Sequence, residues 1–205
     1  MDAQPSAKGQ PMFAFVLFAF VASITPGPTN LIVLSTSAQR GWRPCVPIIF
    51  GAGAGAALLV WAVGTGAGSA LLLIPGLRPA LTVLGLGWML WLAWRIFTAP
   101  VTPIEKNPAK ADRPMGWLGA VLLQWVNPKS WIMALAVISV FMAEGQPLGQ
   151  LTLAFFLVAL PCLGAWALLG RGAARWLDRP RQMRWFNRVL ALLLVISSAG
   201  ALLHP

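Results

Sequence analysis

The stretch Ile24-Thr25-Pro26-Gly27-Pro28-Thr29-Asn30 interrupts one long apolar segment near its middle, and Val126-Asn127-Pro128-Lys129-Ser130-Trp131 interrupts a second. Proline removes a backbone donor and clashes with the preceding turn, and a bilayer offers no water to satisfy the freed carbonyls. Such breaks therefore persist only where they face protein or a wet cavity. Paired breaks in corresponding halves of a membrane protein indicate a transporter's binding site.

The composition is that of an integral membrane protein. Of the 205 residues, 58% are hydrophobic and 10% are charged, and the mean hydropathy is +0.75. The apolar runs between charges and turn signals predict six spans, at residues 12–38, 45–66, 77–97, 117–142, 148–169 and 185–203. Since the first run is longer than a signal-peptide core of about 7–15 residues, we expect it to be a retained span.

The basic residues alternate from loop to loop. Most of them follow the first, third and fifth spans: Arg40, Arg43, Arg95, Lys106, Lys110, Arg113, Arg171, Arg175, Arg179, Arg181, Arg184 and Arg188. Only Lys8 and Arg78 lie on the opposite side, so the positive-inside rule predicts that both termini face outward. Topology and anionic lipid headgroups thus account for the formal charge of +10, and no nucleic-acid partner is expected.

The predicted spans fall into two sets of three. Repeat A covers about residues 12–97 and repeat B about 116–203, with a polar, proline-rich cytoplasmic linker at about 98–115. An odd number of spans makes the second half enter from the opposite side, which predicts an inverted repeat. We therefore expect a single all-α transmembrane transporter domain over residues 1–205, with helices 1 and 4 broken. Gly51 and Gly55 offer a small-residue packing face, and the large apolar faces permit a homodimer.

Lys129 is the only charged residue well inside a predicted span. An ionisable group at that depth costs at least about 2.5–3.5 kcal/mol on insertion scales, so it is a functional hypothesis by default. Gln124, Asn127, Pro128 and Ser130 gather donors and acceptors around it. A second interpretation is that Lys129 satisfies carbonyls left loose by the helix breaks, and the two roles are compatible.

The first break predicts a matching set of groups. The half-helix after Pro28 aims free backbone N–H groups at the midplane, which suits a carboxylate, and the unwound carbonyls of residues 25–27 suit an ammonium. The predicted substrate-binding residues of the two breaks are Thr25, Pro26, Gly27, Pro28, Thr29, Asn30, Gln124, Asn127, Pro128, Lys129 and Ser130. Together these donors and acceptors match a zwitterion such as an amino acid.

The sequence lacks the residues that several classes of function need. The sequence has no phosphate-binding glycine-rich loop, which excludes ATP hydrolysis by this chain, and we expect neither an enzyme nor a cofactor. The acidic residues all lie outside the predicted spans: Asp2, Glu105, Asp112, Glu144 and Asp178. A site for a basic amino acid or a divalent cation is therefore not expected, and the proton-carrying residue of any coupled transport stays open.

The chain resembles the LysE/RhtB family of amino acid exporters over about residues 13–203. The resemblance rests on Thr25-Pro26-Gly27-Pro28, Arg40-Gly41, the second-span glycines and Asn127-Pro128-Lys129, and Leu123-Gln124-Trp125-Val126-Asn127 is most similar to the cysteine and O-acetylserine branch. It implies proton-driven efflux of small amino acids or their derivatives across a bacterial inner membrane, through the residues of the two breaks. Leu86-Gly87-Trp88-Met89-Leu90 departs from the Gly-Ala-x-Tyr-Leu run of many members and is bulkier.

A membrane thiol-disulfide electron carrier is the alternative, because Pro44-Cys45-Val46-Pro47 and Pro161-Cys162 are similar to motifs of small membrane thiol carriers. Cys45 and Cys162 do not occupy matching positions in the two halves, and neither accompanies a strong break. Buried cysteines in apolar surroundings are usually inert. The exporter is therefore the favoured hypothesis, and a passive channel-like protein is a third.

Overall fold

The computed structural model describes residues 9–67, 74–98, 115–176 and 179–203, and the regular structure in these ranges is entirely helical. The helices are α1 (Gly9–Ile24), α2 (Pro28–Arg40), α3 (Cys45–Gly64), α4 (Leu77–Phe97), α5 (Trp117–Val126), α6 (Pro128–Val137), a π-helical segment π1 (Ile138–Met142), α7 (Leu148–Trp176) and α8 (Pro180–Leu203). The all-α prediction is confirmed for these ranges. The predicted linker lies almost wholly outside them.

Both predicted helix breaks are present. The chain bends by 55° between α1 and α2, and by 72° between α5 and the helix that continues from α6 through π1. In each case a proline, Pro28 or Pro128, is the first residue of the new helix, and Gly27 or Asn127 is its N-cap. Proline is well suited to this position because its missing N–H would have no partner there, whereas it cannot continue the preceding helix.

The described helices supply part of the predicted set of membrane spans. By length and composition α3 and α7 are each able to cross a bilayer, and each bent pair qualifies if it is counted as one span, which gives two to four. The six-span inverted repeat therefore remains a prediction. Most boundaries lie within about three residues of those expected, but α7 continues to Trp176 and α8 begins at Pro180, so both extend further into the arginine-rich segment.

The broken helices of each half pack against the unbroken helix of the other half. α7 runs along α1 and α2, α3 runs along α5 and α6, and the pairs α3–α7 and α4–α8 also pack together. Glycines allow the closest of these approaches: a Cβ on Gly51 would lie 2.3 Å from the carbonyl oxygen of Trp117, and one on Gly55 would lie 2.8 Å from that of Val121. The small-residue face of α3 is thus a helix-packing surface.

Buried apolar side chains form two clusters. Cluster A consists of Leu31, Ile32, Val33, Leu34, Cys45, Ile48, Ala52, Leu92, Ala93, Ile96, Ala120, Leu123, Leu163, Ala167, Leu190, Ala191 and Leu194. Cluster B consists of Phe15, Ala19, Leu59, Val60, Val63, Ala134, Val137, Phe141, Leu151 and Phe155. The chain meets cluster A first along α3 and cluster B first along α7, so these two helices run in opposite directions through the same two layers.

Candidate functional site

The successive backbone carbonyls of residues 23–26 lie at the end of α1, where a continuous helix would have supplied N–H donors from the next turn. Pro28 has no N–H to give, and the bend redirects the others. Side chains donate to these carbonyls instead: Asn30 Nδ2 to Ser23 O at 2.8 Å, Trp166 Nε1 to Ile24 O at 3.0 Å, and Lys129 Nζ to Thr25 O at 2.7 Å and Pro26 O at 3.5 Å. The first break is therefore held by donors from α2, α6 and α7.

The second break is satisfied in a similar way. The indole N–H of Trp131 donates to the carbonyl of Trp125 at 2.7 Å, which parallels the indole donor at the first break. Asn127 Oδ1 accepts the backbone N–H of Lys129 at 3.1 Å and so caps the start of α6. The first turn of α6 therefore already donates to a side chain of the protein, that of Asn127.

Gln124 joins the two breaks. Its Nε2 donates to Thr29 Oγ1 on α2 at 3.0 Å, and its Oε1 accepts from Ser130 Oγ on α6 at 2.8 Å. Gln124 and Thr29 are buried, so each of these polar groups would be costly without its partner. The resulting chain of hydrogen bonds fixes the beginning of α2 relative to the beginning of α6.

The start of α2 differs from that of α6 in having no side-chain cap among the described residues. Its N-cap is Gly27, which is buried against the Lys129 side chain. Thr29 and Asn30 in the first turn are also buried. The positive end of this helix is therefore directed into the protein interior and is available to an anion.

A cavity of about 60 Å³ lies between the breaks. Its lining residues with polar side chains are Ser23, Thr29, Asn30, Gln124, Asn127, Lys129 and Ser130. Gly27 and Pro28 line it at the first break, and its apolar wall consists of Ala22, Ala52, Ala56, Met133, Phe155, Ala159 and Leu163. Ala52 and Leu163 belong to cluster A and Phe155 belongs to cluster B, so the cavity lies where the two clusters meet. One water molecule needs roughly 15 Å³ of such volume, so the cavity has room for about four, which favours a small ligand.

Most of the predicted binding residues line this cavity, and three do not. Pro128 begins α6 without reaching the cavity wall, while Thr25 and Pro26 have exposed side chains and contribute only carbonyls to the break. One expectation changes as a result. The carbonyls of Thr25 and Pro26, which we expected to be open to a ligand's ammonium, accept from Lys129, and that of Gly27 accepts from the Leu31 N–H.

The indole donors and the apolar wall were not predicted from the sequence. Trp166 contacts Ile24 across 142 residues of chain, and nothing in the spacing of α7 marks it as different from other apolar residues. Trp131 lies within the second break, and its position three residues after Pro128 is the sequence feature that could have indicated its role as a donor. Tertiary packing of the helices decides which tryptophan reaches a freed carbonyl.

The two cysteines lie away from the cavity. Both are buried free thiols, with Cys45 Sγ 3.5 Å from the carbonyl oxygen of Val33 and Cys162 Sγ 3.9 Å from that of Phe20. Each therefore has a local backbone partner, as a structural cysteine would. Within the described ranges, no group of His, Cys, Asp and Glu side chains is placed to hold a metal ion.

Comparison with known proteins gives one family and a consistent set of relatives. The family model described as LysE type translocator matches residues 20–204. Cysteine/O-acetylserine efflux proteins of Salmonella typhimurium and of Escherichia coli O1:K1 are 29% and 30% identical over 188 residues, which is 89% of this chain and 92% of each relative. The protein of the same name from Klebsiella pneumoniae is 29% identical over 187 residues. No solved structure matches the chain.

Proposed function

Because the chain belongs to the LysE type translocator family, we propose that it is a secondary exporter of small neutral amino acids or their derivatives, and that the cavity between the two breaks is its substrate site. It is a membrane transporter rather than an enzyme. The efflux relatives are named for cysteine and O-acetylserine, two small amino acids that carry no net charge at neutral pH, and this supports the proposed substrate class.

The single observation that carries the proposed site is the uncapped start of α2 at a polar cavity inside an apolar protein. A substrate carboxylate fits there, because it would accept from the first N–H groups of α2 and take the place of the missing cap. Among the described residues that line the cavity, Lys129, next to Gly27, is the one with a positive side chain. None of these described residues is acidic, which disfavours substrates with a second positive charge.

The proposed architecture has six spans, arranged as an inverted repeat with outward-facing termini in the bacterial inner membrane. Helix packing supports this architecture, because α3 of the first half lies along the broken span of the second half, and α7 of the second half lies along the broken span of the first. Coupling to the proton gradient is part of the proposal, because transport against a gradient needs an energy source and the sequence has no nucleotide-binding loop.

Efflux from proteoliposomes tests this function. Vesicles are loaded in turn with labelled serine, alanine, cysteine, O-acetylserine, lysine and arginine, and release is followed with and without an imposed pH gradient. We expect gradient-dependent release of the neutral compounds and little release of lysine or arginine. Equal release of every compound would contradict the proposal, as would release that ignores the gradient.

Substitution of Gln124 tests the position of the site. Gln124→Leu removes the link between Thr29 and Ser130 and replaces a polar part of the cavity wall with an apolar one, so we expect at least a tenfold fall in the initial rate of efflux. Gln150→Leu is the matched control, since Gln150 is exposed near the start of α7 and does not line the cavity. Equal rates for the two variants would place the substrate elsewhere.

A further inference from the structure

The ammonium of Lys129 and the ammonium of a bound zwitterion would compete for the same pair of backbone carbonyls. If a zwitterion binds with its carboxylate at the start of α2, the acceptors next to it for its ammonium are the carbonyls at the end of α1. Asn30 and Trp166 occupy those of Ser23 and Ile24, and Lys129 occupies those of Thr25 and Pro26. Of these donors only Lys129 is a cation on a flexible stem, so it is the one that a second cation can replace.

The part of the chain that the structure describes supplies no counter-ion to Lys129 at the cavity. Lys129 is the only titratable side chain among the described lining residues, which come from α1, α2, α3, α5, α6 and α7. The other charged or titratable side chains described for these helices and for α8, which also packs on α6, do not line it: Arg40, Cys45, Cys162, Arg171, Arg181, Arg184 and Arg188. Two carbonyl dipoles are thus the main polar partners of the ammonium in this structure.

When the substrate ammonium displaces Lys129 from these carbonyls, the favoured protonation state of the lysine changes. In the proposed complex the carboxylate at the start of α2 neutralises the substrate's own ammonium, so the displaced Lys129 ammonium is a second, unbalanced positive charge. Lys129 is then stabilised by giving up its proton, because this removes the repulsion between the two cations and the neutral amine is less costly to bury. Resting on the function proposed above, we propose that Lys129 carries the coupling proton, exchanging its carbonyl-bound ammonium for that of the substrate.

The cycle balances in atoms and charge. With the site open to the cytoplasm, the substrate ammonium takes the carbonyls of Thr25 and Pro26, the N–H bond of Lys129 breaks heterolytically, and the proton leaves to cytoplasmic water. With the site open to the outside, the substrate leaves as a zwitterion, and the Lys129 amine takes a proton from external water and returns to the carbonyls. One neutral substrate moves out and one proton moves in, so transport is electrogenic.

Calorimetric titration of the purified full-length protein in detergent tests the exchange. Each neutral amino acid of the efflux panel is titrated in two buffers of different ionisation enthalpy, and the difference in binding heat gives the number of protons released. We expect the wild type to release about one proton per substrate bound, since binding and proton release are linked. Lys129→Met and Lys129→Gln should bind the substrate and release none, because the carbonyls are then free of a competing cation.

Lys129→Arg and Lys106→Met complete the design. Arginine stays protonated, so Lys129→Arg should bind at least tenfold more weakly than wild type and release no proton. Lys106→Met makes the same chemical change as Lys129→Met in the predicted linker and should behave as wild type.

The outcomes separate the two proposals. Proton release that persists in Lys129→Met overturns the inference, as does wild-type binding without proton release, or failure of both neutral variants to bind. If the wild type binds none of the neutral amino acids and exports none, the function itself is wrong rather than the role of Lys129.

Discussion

The neighbouring lysine, rather than the backbone, disfavours a side chain at position 27. Gly27 has φ −164°, an extended conformation open to any residue, but a Cβ would lie 3.0 Å from Cδ and 3.1 Å from Nζ of Lys129. A methyl group there would push the lysine away from the carbonyls of Thr25 and Pro26. The absence of a side chain at Gly27 therefore sets the position of the charge.

We expect Gly27→Ala to lower the initial rate of efflux several-fold while membrane insertion is retained, because the Lys129 side chain then has to shift by a few tenths of an ångström within the site. Proteoliposome efflux measures the rate, and the amount of protein in the membrane fraction measures insertion. Gly116→Ala is the matched control, because Gly116 is also an extended helix N-cap and a Cβ there would contact nothing within 4 Å. Normal efflux by Gly27→Ala would show that the lysine tolerates a shift.

Asn187 is a buried polar residue with one group unpaired. Its side chain is fully buried, its Oδ1 accepts from Gln39 Nε2 at 3.2 Å, and its Nδ2 has no hydrogen-bond partner within the described ranges. Gln39 Nε2 also donates to Ser35 Oγ at 2.8 Å, so Gln39 keeps a partner if Asn187 is replaced. An unsatisfied buried amide costs about 1–3 kcal/mol, and this amide is therefore a local source of instability.

Asn187→Leu should raise the midpoint of thermal unfolding, Tm, by about 2–4 °C for each kcal/mol that the unpaired amide costs. Unfolding of the purified protein in a single detergent, followed by intrinsic tryptophan fluorescence, measures it. Ser37→Ala provides the opposite case, because Ser37 Oγ makes a satisfied bond of 2.6 Å to the Ala167 carbonyl, and its loss should lower Tm. A lower Tm for Asn187→Leu would mean that the amide has a stabilising partner.

At the scale of the helices, α3 and α5 approach so closely that one methyl group would separate them. The atom that a Cβ on Gly51 would meet at 2.3 Å is a backbone oxygen of Trp117, which cannot rotate away. We therefore expect Gly51→Ala to reduce the yield of folded protein in size-exclusion chromatography and to lower Tm by several degrees.

Gly53→Ala on the same helix is the control for this effect. The nearest atom to a Cβ there is Phe156 Cδ2 at 3.2 Å, on a side chain that is able to adjust. The two variants have the same change in helix propensity, so a difference between them reports packing alone. Similar Tm values for both would mean that α3 and α5 are free to separate.

The helix breaks could be predicted from the sequence because their cause is local. Proline at positions 28 and 128 forbids a continuous helix, so the bends followed from residue type alone. Lys129 as a donor to the loose carbonyls could also be anticipated, as the second interpretation of a lone charge inside a span. Trp166 could not, since it reaches the first break from a distant helix. The π-helical turn of π1 was also unexpected, because no proline or glycine marks its residues.

For the whole molecule, orientation in the membrane depends on the distribution of basic residues. Arg43 lies between α2 and α3, and Glu144 lies between π1 and α7, and both side chains are exposed. The positive-inside rule predicts that Arg43 lies in the cytoplasm and Glu144 outside. Labelling at these two positions therefore measures the orientation of each half of the chain across the membrane separately.

Cysteine labelling in intact cells measures this orientation. In a Cys45→Ser, Cys162→Ser background, which we expect to retain efflux, a single Glu144→Cys should react with a membrane-impermeant maleimide. A single Arg43→Cys should react only after the membrane is permeabilised, and the two results together give the orientation of the helices between them. The reverse pattern would invert the predicted topology.

The position of the cavity between clusters A and B has a thermal consequence. We expect that one cluster parts when the substrate enters or leaves, and that water then reaches some of its buried apolar side chains. Hydration of apolar surface raises the heat capacity by about 0.45 cal/K/mol for each Å² exposed. The barrier to transport should therefore have a positive activation heat capacity, and the apparent activation enthalpy of efflux should increase with temperature instead of staying constant.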